Sequence, residues 1–387
     1  MDRVGIVSMY HGSRNYGGLL QAFALCDFLN KNGYNAEQID LPPVSIDNNK
    51  RNLCNRYDFK TIVIKSYNKI YYYALSVLID IFQPEMKKEN IRKNQLLDEF
   101  RKDQIPHICL TDTLDKMNLY NDVFDFFICG SDQIWNPYAY RDEFFLKFVN
   151  ANKLKIAYAA SIARKSITAE EGKKLKEGVK NINVISVREF NSKNILNSLG
   201  IVGVDVVLDP TLLLDANRWD ALTEKVNINK PYLFYYMLEG DINDFFAVKR
   251  IAQLLKLEIV AIPGISKNGM LTDLVGSYKP KFANSPFEFI SLIKYADVVI
   301  TDSFHASVFS FVFQKEVFFV ECKSTDTLFP RIEILIDTFH CQDHYMKGIN
   351  QNLILNASKI HFQRYLSDFE HLKLKSREFL LGNLENR

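Results

Sequence analysis

The sequence predicts an α/β protein built as two doubly wound halves that face each other across a cleft. Three observations predict it. A strand–loop–helix–strand unit opens the chain, the same alternation restarts after Trp219, and the 387 residues exceed the roughly 150 that one domain usually holds. With 47% hydrophobic and 24% charged residues, the composition is that of a folded globular chain rather than a disordered one.

In the first half, Val4 to Met9 is a short apolar run that reads as a strand. Tyr10 to Gly18 is a loop holding Gly12, Gly17 and Gly18. Leu19, Leu20, Ala22, Phe23, Leu25, Cys26 and Leu29 then recur at helical spacing and predict a helix from Leu19 to Leu29. Gly33 ends that helix, and Asn35 to Leu41 resumes as a strand before Pro42 and Pro43 stop it. A βαβ opening of this kind implies parallel pairing and a right-handed crossover. Residues 44–120 break the rhythm and read as a helical insertion that includes the charged stretch Lys87 to Lys102. Strands return at Phe124 to Cys129, Lys155 to Ser161, Val184 to Val187 and Val204 to Leu208. Thr168-Ala-Glu-Glu171 is a capping box that opens a charged helix running through Val179.

In the second half, strands are expected at Tyr232 to Met237, Glu258 to Ile262, Asp297 to Thr301 and Val317 to Val320. Helices alternate with them at Asn243 to Leu255, Pro286 to Lys294 and Phe304 to Phe313. Ser358 to Leu384 closes the chain as a long amphipathic helix or helix pair. The expected domains are residues 1–215 and 225–350, followed by a packing helix over 357–387. The boundary between the halves is expected between Asp209 and Tyr232.

Several classes of function are disfavoured early. A net charge of +2 gives no basic excess for nucleic acid, although it allows a local anion pocket. The six cysteines, Cys26, Cys54, Cys109, Cys129, Cys322 and Cys341, show no zinc-knuckle or redox spacing. Cys26, Cys129 and Cys322 lie in apolar runs and read as buried free thiols, which suits a reducing compartment. The charged start of the chain followed directly by a strand has no secretory pattern, so a cytoplasmic protein is expected. No apolar run is long enough for a membrane span. Ile70 to Phe82, with Tyr71, Tyr72 and Tyr73, suits a packed or lid helix, or peripheral contact with the inner membrane face through residues 61–82. No histidine, cysteine or carboxylate cluster has metal spacing, and no cofactor motif is present, so none is expected.

Polar residues gather where three strands end, and open α/β sheets bind ligands at such ends. The first group is His11-Gly-Ser-Arg-Asn-Tyr-Gly-Gly18, which runs straight into a helix and offers Arg14, Asn15 and Tyr16 to an anion or sugar. Its glycines serve equally to allow close helix–strand packing. The second is Cys129-Gly-Ser-Asp-Gln-Ile-Trp-Asn-Pro137. There Trp135 can stack on a sugar face while Asp132 and Asn136 bond hydroxyls, or the run is a turn that caps the next segment. The third is Ile300-Thr-Asp-Ser-Phe-His-Ala-Ser307, with His305 in the first turn of a helix. A helix N-terminus disfavours the imidazolium unless a bound anion offsets it, which would make His305 a general acid. The other reading is a structural histidine bonded to a carbonyl. Arg188 and Arg331 are the cations for an anionic substrate, since arginine recognises phosphate and carboxylate bidentately. Arg188 and Glu189 could instead form a surface pair of little energetic weight.

Taken together, six stretches resemble the polysaccharide pyruvyl transferase family. They are Asn15-Tyr-Gly-Gly-Leu-Leu-Gln-Ala-Phe-Ala-Leu25, Gly130-Ser-Asp-Gln-Ile-Trp-Asn136, Ala157-Tyr-Ala-Ala-Ser161, Ile185-Ser-Val-Arg-Glu189, Leu208-Asp-Pro-Thr211 and Asp297-Val-Val-Ile-Thr-Asp-Ser-Phe-His305. They run in family order from residue 4 to about 335. Family members commonly have glycine after the histidine, where this chain has Ala306. The resemblance implies a GT-B-like fold with two Rossmann-type domains and a C-terminal helix crossing back. It implies transfer of pyruvate from phosphoenolpyruvate to a sugar of a cell-surface polysaccharide or its precursor, forming a cyclic ketal, with a sugar or a lipid-linked oligosaccharide as acceptor. Arg188 and His305 fall on the family's phosphoenolpyruvate contacts, with Ser303, Phe304 and Arg331 beside them. Asp132, Asn15 and Tyr16 are carried over as acceptor candidates, with Arg14, Trp135 and Asn136 added from the residues themselves. His305 and Asp132 are the expected acid–base pair, and Arg188 and His305 are expected on one wall of the cleft. The other reading is a nucleotide-sugar glycosyltransferase on the same fold.

Overall fold

The computed structural model describes residues 1–42, 84–240, 242–262, 279–280, 284–321 and 328–385. Residues 61–82, Cys54 and Cys322 lie outside the described residues. In the first half, seven strands form one sheet: β1 (Arg3–Val7), β2 (Asn35–Ile39), β3 (His107–Ile108), β4 (Phe126–Cys129), β5 (Leu154–Ala160), β6 (Val184–Val187) and β7 (Val204–Val206). Their order is β3-β2-β1-β4-β5-β6-β7, and every neighbouring pair is parallel. The second sheet holds β8 (Tyr232–Tyr236), β9 (Glu258–Ala261), β10 (Lys279–Pro280), β11 (Val298–Thr301), β12 (Glu316–Glu321) and β13 (Tyr345–Lys347). Its order is β10-β9-β8-β11-β12-β13, again parallel throughout.

Parallel sheets are covered on both faces, so their strands read as apolar runs without alternation. Phe126–Cys129 and Tyr232–Tyr236 are buried at every position. The strand order also explains where the motifs sit. In each sheet the order in which strands are added reverses beside the first strand, between β1 and β4 in one half and between β8 and β11 in the other. The loops after β1, β4 and β11 carry the His11–Gly18, Gly130–Asn136 and Asp302–His305 motifs, so all three face a switch point.

The helix Tyr16–Lys31 follows β1 and is buried over most of its length, from Tyr16 through Cys26. It packs on both halves. Tyr16 stacks on Phe289 at 4.6 Å, and Phe23 meets Phe287 at 5.7 Å. Trp219, fully buried between the sheets in sequence, lies edge-on to Phe309 at 4.9 Å and tilted against Phe23 at 5.9 Å. Its indole nitrogen donates to the Thr211 carbonyl at 2.8 Å. One apolar core therefore runs through both halves. The single helix Phe362–Glu385 then crosses back. Phe369 packs on Phe339 of the second half at 5.4 Å, while Ser376 Oγ accepts from the Leu208 amide of the first at 3.0 Å.

Most expected elements form within one or two residues of their predicted ends. The Thr168–Glu171 capping box is present in full, opening Ala169–Val179. The expected insertion over 44–120 needs correction in its described part. Pro84–Gln104 is a helix, but His107–Ile108 joins the sheet as an edge strand paired with β2. Edge pairing of two residues leaves too short an apolar run to be legible. Cys26 and Cys129 are fully buried, and burial pushes the Cys26 thiol up to about 12. Cys109 is exposed. Among the described residues no helix is long and apolar enough to cross a membrane, and no group of three or more His, Cys, Asp or Glu side chains gathers as for a metal ion.

Candidate active site

The site begins with the helix Phe304–Val312, which starts directly after β11. Ser303 caps it, its hydroxyl accepting from the Ala306 amide at 3.4 Å. His305 in the first turn is 6% exposed, and its Nε2 has no hydrogen-bond partner among the described residues. The imidazole lies against the start of the helix Tyr16–Lys31. A methyl group placed on Gly17 would stand 1.9 Å from His305 Nδ1, so only glycine fits this crossing between the halves. Ala306 is fully buried in the apolar core. Asp302, one residue before the cap, accepts from the Leu238 and Glu239 amides at 2.5 and 2.8 Å and so ties the end of β8 to this loop. Burial raises its carboxyl to about 6 despite those two amide bonds.

The first half contributes Arg188, one residue past β6. It is 2% exposed, which excludes the surface-pair reading. Its Nη1 donates to Asp209 Oδ2 at 2.8 Å. Its Nη2 stands 3.8 Å from Asp132 Oδ1 and its Nε 3.9 Å from Glu189 Oε2, both beyond hydrogen-bond length. Nε, Nη2 and Glu189 Oε2 have no hydrogen-bond partner among the described residues. The guanidinium lies 4.0 Å from the centre of the Phe304 ring, and that of Arg331 lies 5.9 Å from the same ring. Burial opposes the Arg188 charge, but Asp209, Asp132 and Glu189 outweigh it and hold the guanidinium above its usual range.

Arg188 and His305 meet at Asp209, which is fully buried at the end of the first half. His305 Nε2 lies 3.8 Å from Asp209 Oδ2. Burial pulls the imidazole below its ordinary range. Asp209 and Asp132 act against that pull, while Arg188 and Arg331 reinforce it. The pair does not share one wall of the cleft, as the strand ends alone suggested: Arg188 belongs to the first sheet and His305 to the second half, so they face each other. Each motif fixes a strand end, but the packing of the halves fixes which ends meet.

The remaining candidates divide. Asp132 is partly accessible, with its Oδ2 beside Gly18. Asn15 is exposed and caps the helix Tyr16–Lys31 through the Gly17 amide at 2.9 Å. Arg14 is exposed but bound to Asp98 at 2.9 Å and to the Asn94 carbonyl. Asn136 caps the short turn Pro137–Ala139. Two expectations are corrected. Trp135 is fully buried, stacks on Phe145 at 6.2 Å and donates to the Phe144 carbonyl, so its ring offers no face to a sugar. Tyr16 is 1% exposed and serves the contact between the halves. In both cases a large apolar side chain at a loop's end turned inward, where it removes more surface from water.

The family model for polysaccharide pyruvyl transferases matches residues 15–324 of the chain. The chain belongs to the polysaccharide pyruvyl transferase family. No curated protein sequence matches it. Solved structures match over essentially the whole chain at low identity. Anabaena HepE in complex with UDP-glucose is 9% identical with a TM-score of 0.57, over 99% of this chain and 100% of that one. S. aureus MnaA with UDP is 13% identical with a TM-score of 0.52, over 98% and 91%. UDP-GlcNAc 2-epimerase from Neisseria meningitidis is 12% identical with a TM-score of 0.50, over the full length of both. These likenesses establish the fold, which is GT-B-like.

Sequence reasoning missed the places of Asp209 and Glu189 in this cluster. Asp209 lies in the quoted Leu208-Asp-Pro-Thr211 stretch, and a carboxylate just before a proline at a strand end was the available signal. Glu189 is 3% exposed, and its Oε1 accepts from Ser161 Oγ at 2.9 Å and the Ile162 amide at 3.2 Å. Adjacency to Arg188 suggested only a surface pair.

Proposed function

We propose that this protein transfers pyruvate from phosphoenolpyruvate to a sugar of a cell-surface polysaccharide or its precursor, forming a cyclic ketal across two hydroxyls. The observation that carries the reading is the buried meeting of Arg188 and His305 with three unpartnered nitrogens among them. Buried polar groups are normally satisfied, and groups left open at the ends of parallel strands point to an absent ligand. Two arginines and a helix start suit an anionic donor.

The chemistry follows from the charges. A proton is delivered to the methylene carbon of the donor, which makes the central carbon electrophilic. One sugar hydroxyl adds there, the carbon–oxygen bond to phosphate breaks, and the second hydroxyl closes the ring. One hydroxyl proton balances the new methyl group and the other departs with phosphate. Free His305 is neutral, because burial disfavours its cation. A phosphate beside it offsets that cost, so His305 is the acid–base residue nearest the departing group. Arg188, with Arg331, holds the donor's negative charge, and Phe304 and Ser303 shape the wall that the second half contributes. Asp132 accepts or orients an acceptor hydroxyl, with Arg14, Asn15 and Asn136 at the more exposed edge for the acceptor. No step calls for a metal ion, since the arginines compensate the charge.

Mass spectrometry of candidate glycans after incubation with phosphoenolpyruvate tests the reading by looking for the mass of the pyruvyl ketal. A nucleotide sugar that stabilises the protein against heat, where phosphoenolpyruvate does not, would favour the glycosyltransferase alternative.

A further inference from the structure

Asp209 has more partners than a turn needs. Its Oδ1 accepts from the Thr211 amide at 3.0 Å and from Thr211 Oγ1 at 2.7 Å, which suffices to cap Pro210–Leu212. Its Oδ2 points the other way, accepting from Arg188 Nη1 at 2.8 Å and Ser131 Oγ at 3.1 Å, with His305 Nε2 at 3.8 Å. One carboxylate oxygen thus meets the loop after β4, the arginine after β6 and the histidine of the second half.

We propose that Asp209 is a positioning residue that couples the two halves of the site: it turns the Arg188 fork toward the donor and supplies the negative charge that lets His305 take up a proton. The inference rests on the pyruvyl-transfer reading for the donor's identity, but the coupling itself does not. With Nη1 held by Asp209, the Nε–Nη2 edge of Arg188 remains; Asp132 and Glu189 stand 3.8 and 3.9 Å from it, and it has no hydrogen-bond partner among the described residues. A two-point edge matches a planar carboxylate or two phosphate oxygens. His305 feels Asp209 and Asp132 as anions and Arg188 and Arg331 as cations, and Asp209 acts on it most strongly of these four. A charge this close, shielded from water, favours the protonated imidazole.

The test uses the full chain without ligand first. NMR titration of the His305 imidazole, assigned with His305→Gln, is compared among wild type, Asp209→Asn, Asp209→Glu and Thr211→Val. Asp209→Asn should lower the His305 midpoint by about one pH unit or more. Asp209→Glu should restore it, and Thr211→Val, which removes a bond to Oδ1 only, should leave it in place while lowering the melting temperature. Phosphoenolpyruvate binding measured on the same proteins should weaken roughly tenfold or more in both Asp209 variants and stay unchanged in Thr211→Val. A midpoint in Asp209→Asn equal to wild type overturns the coupling, as does a Thr211→Val protein that loses binding to the same degree. Should Asp209→Asn fail to fold, Asp209→Glu decides: wild-type binding, or a midpoint lowered although the charge is kept, overturns the proposal. Wild-type protein that ignores phosphoenolpyruvate overturns the functional reading, and the imidazole titration then judges the coupling by itself.

Discussion

At the scale of single residues, His305 and Arg188 carry different burdens and should fail differently. On the pyruvyl-transfer proposal, His305→Ala removes a proton-transfer group, so turnover should fall roughly a hundred- to ten-thousandfold while the protein stays folded. On the same proposal, Arg188→Ala removes a charge-assisted contact to the donor worth about 1.5–3 kcal/mol, so phosphoenolpyruvate binding should weaken roughly ten- to a hundredfold. Melting temperature and turnover measured on one preparation separate these effects. A merely structural histidine would instead melt earlier as alanine and keep its rate per folded molecule. Asp302 gives a pH test. Its folded value of about 6 lies above the ordinary 3.8, so the folded protein holds a proton that the unfolded chain releases. That contribution is complete below about pH 4 and is lost as pH rises through 6, amounting to about 3 kcal/mol. Asp302→Asn should therefore remove part of the decline in stability between pH 4 and 6, which thermal melts across that window would measure. A decline unchanged in the variant would show that another group causes it.

At the scale of elements, the decisive contact is the start of the helix Tyr16–Lys31 against the start of Phe304–Val312. Gly17→Ala puts a methyl group 1.9 Å from His305 Nδ1, so the buried ring must shift from its place. Turnover should drop nearly as far as in His305→Ala. Thr168→Ala supplies the contrast. It removes the capping box of Ala169–Val179, should cost about 1 kcal/mol of stability, and should leave turnover unchanged. Both elements were legible as helices, Tyr16–Lys31 from its apolar spacing and Phe304–Val312 from the polar run that precedes it. The contact between them was not, because a glycine at a helix start reads the same whether it meets solvent, its own strand or a histidine far along the chain.

At the scale of the whole molecule, the two sheets share one core, and Trp219 pins it from the connection between them. Its ring touches Phe23 from the first half and Phe309 from the second. Trp219→Ala should cost about 3–5 kcal/mol, read as a lowered denaturation midpoint. It should also loosen the site, since the same packing brings His305 to Asp209. The helix Phe362–Glu385 is the second brace. Arg377 donates to the Leu213 carbonyl at 2.9 Å through Nε and to Asp215 at 2.8 Å through Nη2. Asp215 is well exposed, so the ion pair adds little and the carbonyl contact carries most of the effect.

The edge strands His107–Ile108 and Tyr345–Lys347 and the helix Phe329–Thr338 escaped the sequence, but most other strands and helices, the Thr168 cap and the polar residues at three strand ends were legible in it. These follow from periodicity and turn chemistry, which act over a few residues. Family membership was legible in the same way, from six short stretches in order. The tertiary structure alone decided which strand ends meet, that Arg188 and His305 face each other from opposite halves, and that Asp209 stands between them. It also decided that Trp135 and Tyr16 turn inward. The physical reason is that burial and electrostatic coupling depend on every element packed against a side chain, and those elements are distant in sequence.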